Sequence, residues 1–370
     1  MQYSGCVSEI RAAQIVLFYL FDVAETIDLQ PIPGLIGGPI VAARLAPKQA
    51  TPAYVQYDNP PVSFDGDAIG IGDIEGFRPR FRVYDYGVIS VALTRPFSGA
   101  WSELVALGQT LIENDDVEAR AERLCRTLAD RLRPALKDHR ERYLTEDYLV
   151  YAVHELDRPQ SADDLLSARG GDIAVMLRGE RQPLSAQETQ TILGHRMSYL
   201  ADDLVVPSWS AAFVFDTPIG AQAALEILEF ANSQLLQFRY YDQHLDRELA
   251  AIYAQLQRPR RYDQWVGSRY TRTARHVHAL LLDVNEVTDR TVNALKFVGD
   301  IYAARVFTLV GARLGLDRWK EHVRDKLRTL DEIYHFAVEQ SSIARGEFLE
   351  LTIIAILILE LVLFFLGIMK

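Results

Sequence analysis

The sequence predicts an α+β head built on a mixed sheet with covering helices (residues 1–216), a long antiparallel three-helix stalk (217–347) and one C-terminal transmembrane helix (348–370). Three observations carry this reading. Short β-branched and aromatic runs dominate the first half, the apolar period changes from two to about 3.5 after Thr217-Pro218, and the chain closes on an apolar run, Leu351 to Met369.

At 370 residues and 49% hydrophobic content the chain can bury two cores besides that run. A net charge of −11 excludes a general nucleic-acid binder, which needs a basic face, so any such contact has to be local. The two cysteines, Cys6 and Cys125, make neither a disulfide framework nor a metal-ligand spacing, and they suggest a reducing compartment.

In the head, Ala12 to Phe21 (AAQIVLFYLF) follows Arg11 like the apolar core of a leader. Asp22 and Glu25 come directly after it with no small-residue cleavage site, so it reads as a buried strand. PIPGLIGGPI then punctuates the chain before VAARL, AYVQY, FRVYDY and VISVAL, which read as half-buried strands. The glycines and acids of Asp65 to Gly76 lack both a P-loop ending and EF-hand spacing, so this stretch is a loop or hairpin.

Ser98 is placed as the N-cap of a helix through Trp101 and Ile112, and a second helix runs from Asp116 to about Lys137. Strand character returns at Tyr148 to Val153 and is expected again at Ile173 to Leu177. His154-Glu155 begins a zinc-protease motif, but Arg158 stands where the second histidine is needed, and no metal site follows. Ser185 and Glu188 form a capping box. Within Met197 to Asp216, Asp202 and Asp203 are adjacent, and in a strand they point to opposite faces and cannot act as a dyad. A turn between two strands, with Trp209 and Phe213 in the core, is the expectation there.

Beyond Thr217-Pro218, Ala224, Leu228, Ala231, Leu235, Phe238, Asp242, Leu245, Leu249, Ile252 and Leu256 form a heptad seam whose only polar member, Asp242, is a candidate for setting stalk register. The rhythm repeats from Leu280 to Ile301 and from Val323 to Phe348, which implies three helices broken at Pro259 and loosened at Gly311 and Gly315. His276 and His278 are two apart on a helix, share no face, and form no joint metal site.

The closing run has about nineteen residues, roughly 28 Å as a helix, which approaches the ~30 Å hydrocarbon thickness of a bilayer. Glu360 opposes insertion by about 3 kcal/mol, and about fourteen aliphatic and aromatic residues outweigh it. The expectation is a tail-anchored, single-pass protein whose bulk faces the cytoplasm or an equivalent side. An antiparallel stalk then returns the turn after the first helix to the lipid surface. That turn carries Arg258, Arg260, Arg261, Trp265, Arg269, Tyr270, Arg272 and Arg275, a basic and aromatic set suited to lipid headgroups and also to RNA or a ribosome.

AETIDL at Ala24 to Leu29, DYGV at Asp85 to Val88, the long helices and the acidic-apolar tail LELTIIAILILELVLFF resemble the required-for-meiotic-nuclear-division family. The resemblance places Glu350 and Glu360 on the family's two acidic tail positions; acids inside a membrane face other helices or water, so both are candidate contacts between membrane helices, with a proton or ion path as the other reading of Glu360. It implies a membrane-anchored homo-oligomeric scaffold without cofactor, associated in mitochondria with supporting translation. The functional expectation is therefore a non-enzymatic scaffold that binds itself, the bilayer and an unknown protein partner. Two alternatives stand beside it: an ion-transport assembly with a CorA-like layout, though without that family's Gly-Met-Asn signature, and a hydrolase using Asp202 or Asp203.

Overall fold

The computed structural model describes residues 9–38, 41–42, 54–56, 59–112, 115–257, 274–279, 281–282, 284, 296–298 and 301–365. They fall into two compact units: residues 1–240 with 290–319, and residues 241–289 with 320–370.

The first unit is built on one long strand. β1 (Ile10–Asp22) is central in an eight-stranded sheet, because its unbroken apolar run from Ile15 to Phe21 is buried on both faces. The chain continues through β2 (Thr26–Ile27), α1 (Ile32–Ile36), β3 (Val41–Ala42), β4 (Tyr54–Gln56), β5 (Val62–Asp65), β6 (Arg78–Val83) and β7 (Val88–Gly99). Next come α2 (Trp101–Ile112), α3 (Asp115–Arg131), β8 (Leu136–Lys137), β9 (Thr145–Leu156), α4 (Ala162–Arg178), α5 (Ala186–Leu193), β10 (Leu204–Pro207) and β11 (Ala211–Phe215). The sheet order is β10-β11-β9-β1-β7-β6-β5-β3, antiparallel except where β11 runs parallel to β9.

The two sheet faces have different covers. Odd-numbered residues of β1, among them Ile15, Leu17 and Phe21, belong to one apolar core with Trp101, Leu104, Leu128 and Ile173 from α2, α3 and α4. Gly108 of α2 allows this packing, since a Cβ there would lie 2.1 Å from the Tyr151 hydroxyl. The other face is covered by the first half of α6 (Pro218–Gln257), whose Leu228, Ala231, Leu235 and Leu236 are fully buried. The period change at Thr217-Pro218 thus marks the start of α6, and the compact unit takes in its first 23 positions, to Tyr240.

Several local expectations change. Ile173 to Leu177 is helix: Ser161 and Asp164 close a capping box that starts α4, and a short apolar run alone does not separate strand from buried helix. Ser98 lies in β7, and the α2 cap is the Glu103 carboxylate accepting from the Ala100 N–H at 3.1 Å. Trp209 sits in the β10–β11 turn and is 48% exposed, while Phe213 is buried.

In the second unit, the rest of α6 lies against α8 (Leu316–Phe365), which follows β12 (Lys296–Val298) and α7 (Ile301–Leu314) in the chain. Lys326 Nζ is 2.7 Å from both Asp242 and Asp246, which makes an ion-pair contact between α6 and α8. His276 contacts Glu248 at 2.8 Å and His278 stacks on Tyr334, so the two histidines face different partners. The heptad run from Leu280 to Ile301 is broken by β12, which pairs with β4.

The expected membrane span is corrected. Among the described residues, no helix is long and apolar enough to cross a membrane. The apolar part of α8, residues 351–365, is about 22 Å long at 1.5 Å per residue, short of the ~30 Å required. Residues before it are charged, with Glu339, Arg345, Glu347 and Glu350 within three turns or so, and residues 366–370 lie outside the described set. The transmembrane anchor, the single-pass localisation and the role of Glu350 and Glu360 as contacts between membrane helices are withdrawn with it.

Candidate functional site

The two motifs AETIDL and DYGV, separate in sequence, meet at one corner of the sheet. Val23 and Ala24 both donate their N–H to the Gly87 carbonyl (2.9 and 3.3 Å), and Ile27 N–H donates to the Asp85 carbonyl at 2.8 Å. Gly87 has φ +88, and a Cβ at this position would lie 1.9 Å from the Ala24 oxygen, so the corner requires glycine there. The segment between α3 and β9 closes the corner from the other side. Glu25 donates to the Lys137 carbonyl, Asp28 to Ala135, and Arg140 N–H to Val23 at 2.8 Å.

α6 docks on this corner through polar groups. The Tyr86 hydroxyl is 2.7 Å from Ser233 Oγ, Gln237 Nε2 donates to Asp22 Oδ1 at 3.0 Å, and Arg239 pairs with Glu146. Arg140 donates to the same Asp22 oxygen at 2.7 Å and lies 3.9 Å from the Tyr240 ring centre. Further along the face, buried Arg82 reaches Glu229 at 3.0 Å, Glu226 at 3.5 Å and Ser63 Oγ at 2.9 Å. The heptad reading of α6 sees only its apolar stripe. The signal for the polar layer was present as Glu226, Glu229, Asn232, Ser233 and Gln237 inside a helix that turns out to be buried nearly all round.

Burial pushes the Asp22 carboxyl up to about 7, against the downward pull of Arg140 and the Gln237 hydrogen bond. A raised folded-state value means the folded protein holds a proton that the unfolded chain releases near pH 4. Stability from this group is therefore complete below about pH 4 and is lost at about 1.4 kcal/mol per pH unit up to about pH 7. Burial also raises Glu146 and Glu226, in the same sense. Denaturant midpoints for the intact chain should fall from pH 5 to pH 7, and Asp22→Asn should flatten that slope. An unchanged slope in the variant would refute the assignment.

Arg258, Arg260, Arg261, Trp265, Arg269, Tyr270 and Arg272 lie outside the described residues, while Arg275 is exposed. Asp203 is buried and accepts the Tyr199 and Leu200 N–H groups at 2.6 and 3.0 Å, while Asp202 is exposed, so the pair is split between a turn and solvent. Glu350 and Glu360 are exposed on α8. Around them, ten large apolar residues between Leu349 and Val362 are each 46–61% exposed. Among the described residues no group of three or more His, Cys, Asp or Glu side chains is placed to hold a metal ion.

A family model described as "Uncharacterized protein MJ0711, N-terminal domain" matches residues 12–222, more than half of the chain. The chain belongs to this family. The MJ0711 N-terminal domain, as it occurs here, runs from β1 to the first turn of α6, so it contains the sheet and the helices on its odd face. Uncharacterized protein MJ0711 of Methanocaldococcus jannaschii is 21% identical over 228 residues, covering 62% of this chain and 68% of the relative. No solved structure matches the chain.

Proposed function

We propose that the protein is a non-enzymatic scaffold that assembles from copies of itself through the C-terminal part of α8 and organises a protein partner around the MJ0711-type head. The observation that carries the reading is the apolar surface of residues 349–362, exposed on every side of the helix. Ten half-exposed side chains of that size offer on the order of 1,000 Å², beyond the ~300–600 Å² of the largest patch on a typical monomer. It also matches the ~800 Å² that each partner contributes to a stable interface. A second copy is the occupant that supplies an equal apolar helix of the same length. Glu360 then becomes a specificity element, because two such carboxylates brought into one apolar contact repel each other and lose hydration.

The test is sedimentation-velocity analysis of the intact chain in detergent-free buffer at tens of micromolar. Wild type should sediment as a dimer or larger species, Leu357→Glu with Leu361→Glu as a monomer, and Glu360→Gln should associate more tightly than wild type. A monomeric wild type, or a double variant that associates as wild type does, would overturn the proposal.

A further inference from the structure

On a chain of net charge −11, the segment joining α3 to β9 is locally basic. Arg131, Arg133, Lys137 and Arg142 are exposed, and no carboxylate lies within ion-pair distance of them among the described residues. The segment is held in place by the corner described above, through the hydrogen bonds of Ala135, Lys137 and Arg140 to the strand following β1. It turns at Asp138, a non-glycine residue at φ +51, and this places His139 between two other side chains.

Arg133 Nη1 is 3.2 Å from His139 Nδ1, and His139 Nε2 is 3.2 Å from the Tyr143 hydroxyl. Guanidinium can only donate, so Nδ1 must be the acceptor and the proton sits on Nε2, pointing at Tyr143. Arg126, paired with Glu122, lies 4.6 Å from the Tyr143 ring centre. The result is an arginine, a neutral imidazole, a phenol and a second arginine in sequence, with Lys137 and Arg142 on the same short segment.

The groups that face His139 are Arg133 and Arg126 on the positive side and Asp130 and Glu141 on the negative side, with Tyr143 uncharged. Partial burial first, and then Arg133, lower the basicity of the ring. Arg126 is taken up by Glu122 at 2.7 Å, so the cation left without a carboxylate partner among the described residues is Arg133. Arg133 spends one N–H on a weak acceptor and has four others.

We infer that the Arg133–His139–Tyr143 cluster, with Lys137, is a binding site for a small doubly charged oxyanion of the phosphate-monoester class. Bidentate recognition of such an anion is what a free guanidinium does best. Its arrival would supply the negative charge that His139 lacks, so binding should draw a proton onto Nδ1 and release the Arg133 contact to the ligand. This inference does not depend on self-assembly through α8.

Sulfate is the first probe, because it carries two charges and does not itself titrate near neutrality; inorganic phosphate is the second. Isothermal titration of the intact chain at pH 7.5 and 6.5 and low ionic strength, in two buffers of different ionisation enthalpy, gives affinity and protons taken up. The expected result is binding of both anions, with a net proton uptake for sulfate that grows as the pH is lowered from 7.5 to 6.5. Arg133→Gln should weaken binding at least tenfold, and His139→Gln should abolish the proton uptake. Both positions are at the surface or half-buried, and an unchanged melting temperature will show that the variants fold.

Three results would overturn the inference: no heat from either anion at millimolar concentration, the same affinity in Arg133→Gln, or sulfate binding without proton uptake. Binding of a 20-mer of poly(U) with no binding of sulfate or phosphate would overturn it as well, by assigning the charge to RNA.

Discussion

Replacing Arg82 by alanine should destabilise the head by about 3–5 kcal/mol, because the substitution strands two carboxylates where water cannot reach them. Glu229 is 1% exposed and Glu226 is 7% exposed, and the guanidinium between them is the shared counter-charge. Alanine also leaves a cavity and removes the donor to Ser63. The arithmetic reverses if the whole group is removed. Arg82→Met combined with Glu226→Leu and Glu229→Leu should recover most of the loss, since a buried ion pair rarely outperforms well-packed apolar side chains of similar volume. Chemical denaturation of the three forms measures both effects. An Arg82→Ala variant within 1 kcal/mol of wild type would show that the carboxylates are hydrated or protonated in the native state.

Gly87→Ala should be nearly as damaging, for a steric reason. Its φ of +88 lies in a region that L side chains rarely adopt, and the added methyl would meet the Ala24 carbonyl oxygen at 1.9 Å. The neighbour is backbone held by hydrogen bonds from both motifs, so it cannot swing aside. A loss of about 3 kcal/mol or more in thermal or urea unfolding is expected. Gly171→Ala is the control, because that glycine is inside α4 with open space around its Cβ position; it should be neutral or slightly stabilising.

The sequence exposed the backbone of the fold where a periodic signal was long. β1 announced itself by its apolar run, and α6 by steps of three and four, since each element buries enough side chains to impose its own period. Ile173 to Leu177 misled because five apolar residues in a row fit a strand and a buried helix equally well, and only the cap twelve residues earlier settles the matter. Trp209 misled in the opposite direction, an aromatic placed on a turn.

The corner itself was legible in pieces. AETIDL and DYGV stood out as motifs, but Glu25 and Asp85 are about sixty residues apart, and no local rule predicts that one strand end will hydrogen-bond to the other. The charged layer beneath α6 was hidden for a similar reason. A helix that reads as an amphipathic seam is expected to send its glutamates to solvent, and the sheet supplied Arg82 instead.

The closing apolar run shows how composition can outrun geometry. Its residue types favour lipid, but the helical part among the described residues is too short for that medium.

The position of α6 has a consequence for how the chain matures on the ribosome. Every strand of the large sheet has been synthesised by Phe215, yet the layer that shields its even face is made afterwards. While Pro218 to Tyr240 is still inside the exit tunnel, Val16, Phe18 and Leu20 would stand open to solvent beside the unneutralised Arg82. The nascent head therefore has a vulnerable interval at the end of its own translation. A fragment cut at residue 222, the limit of the family match, would leave the even face uncovered permanently.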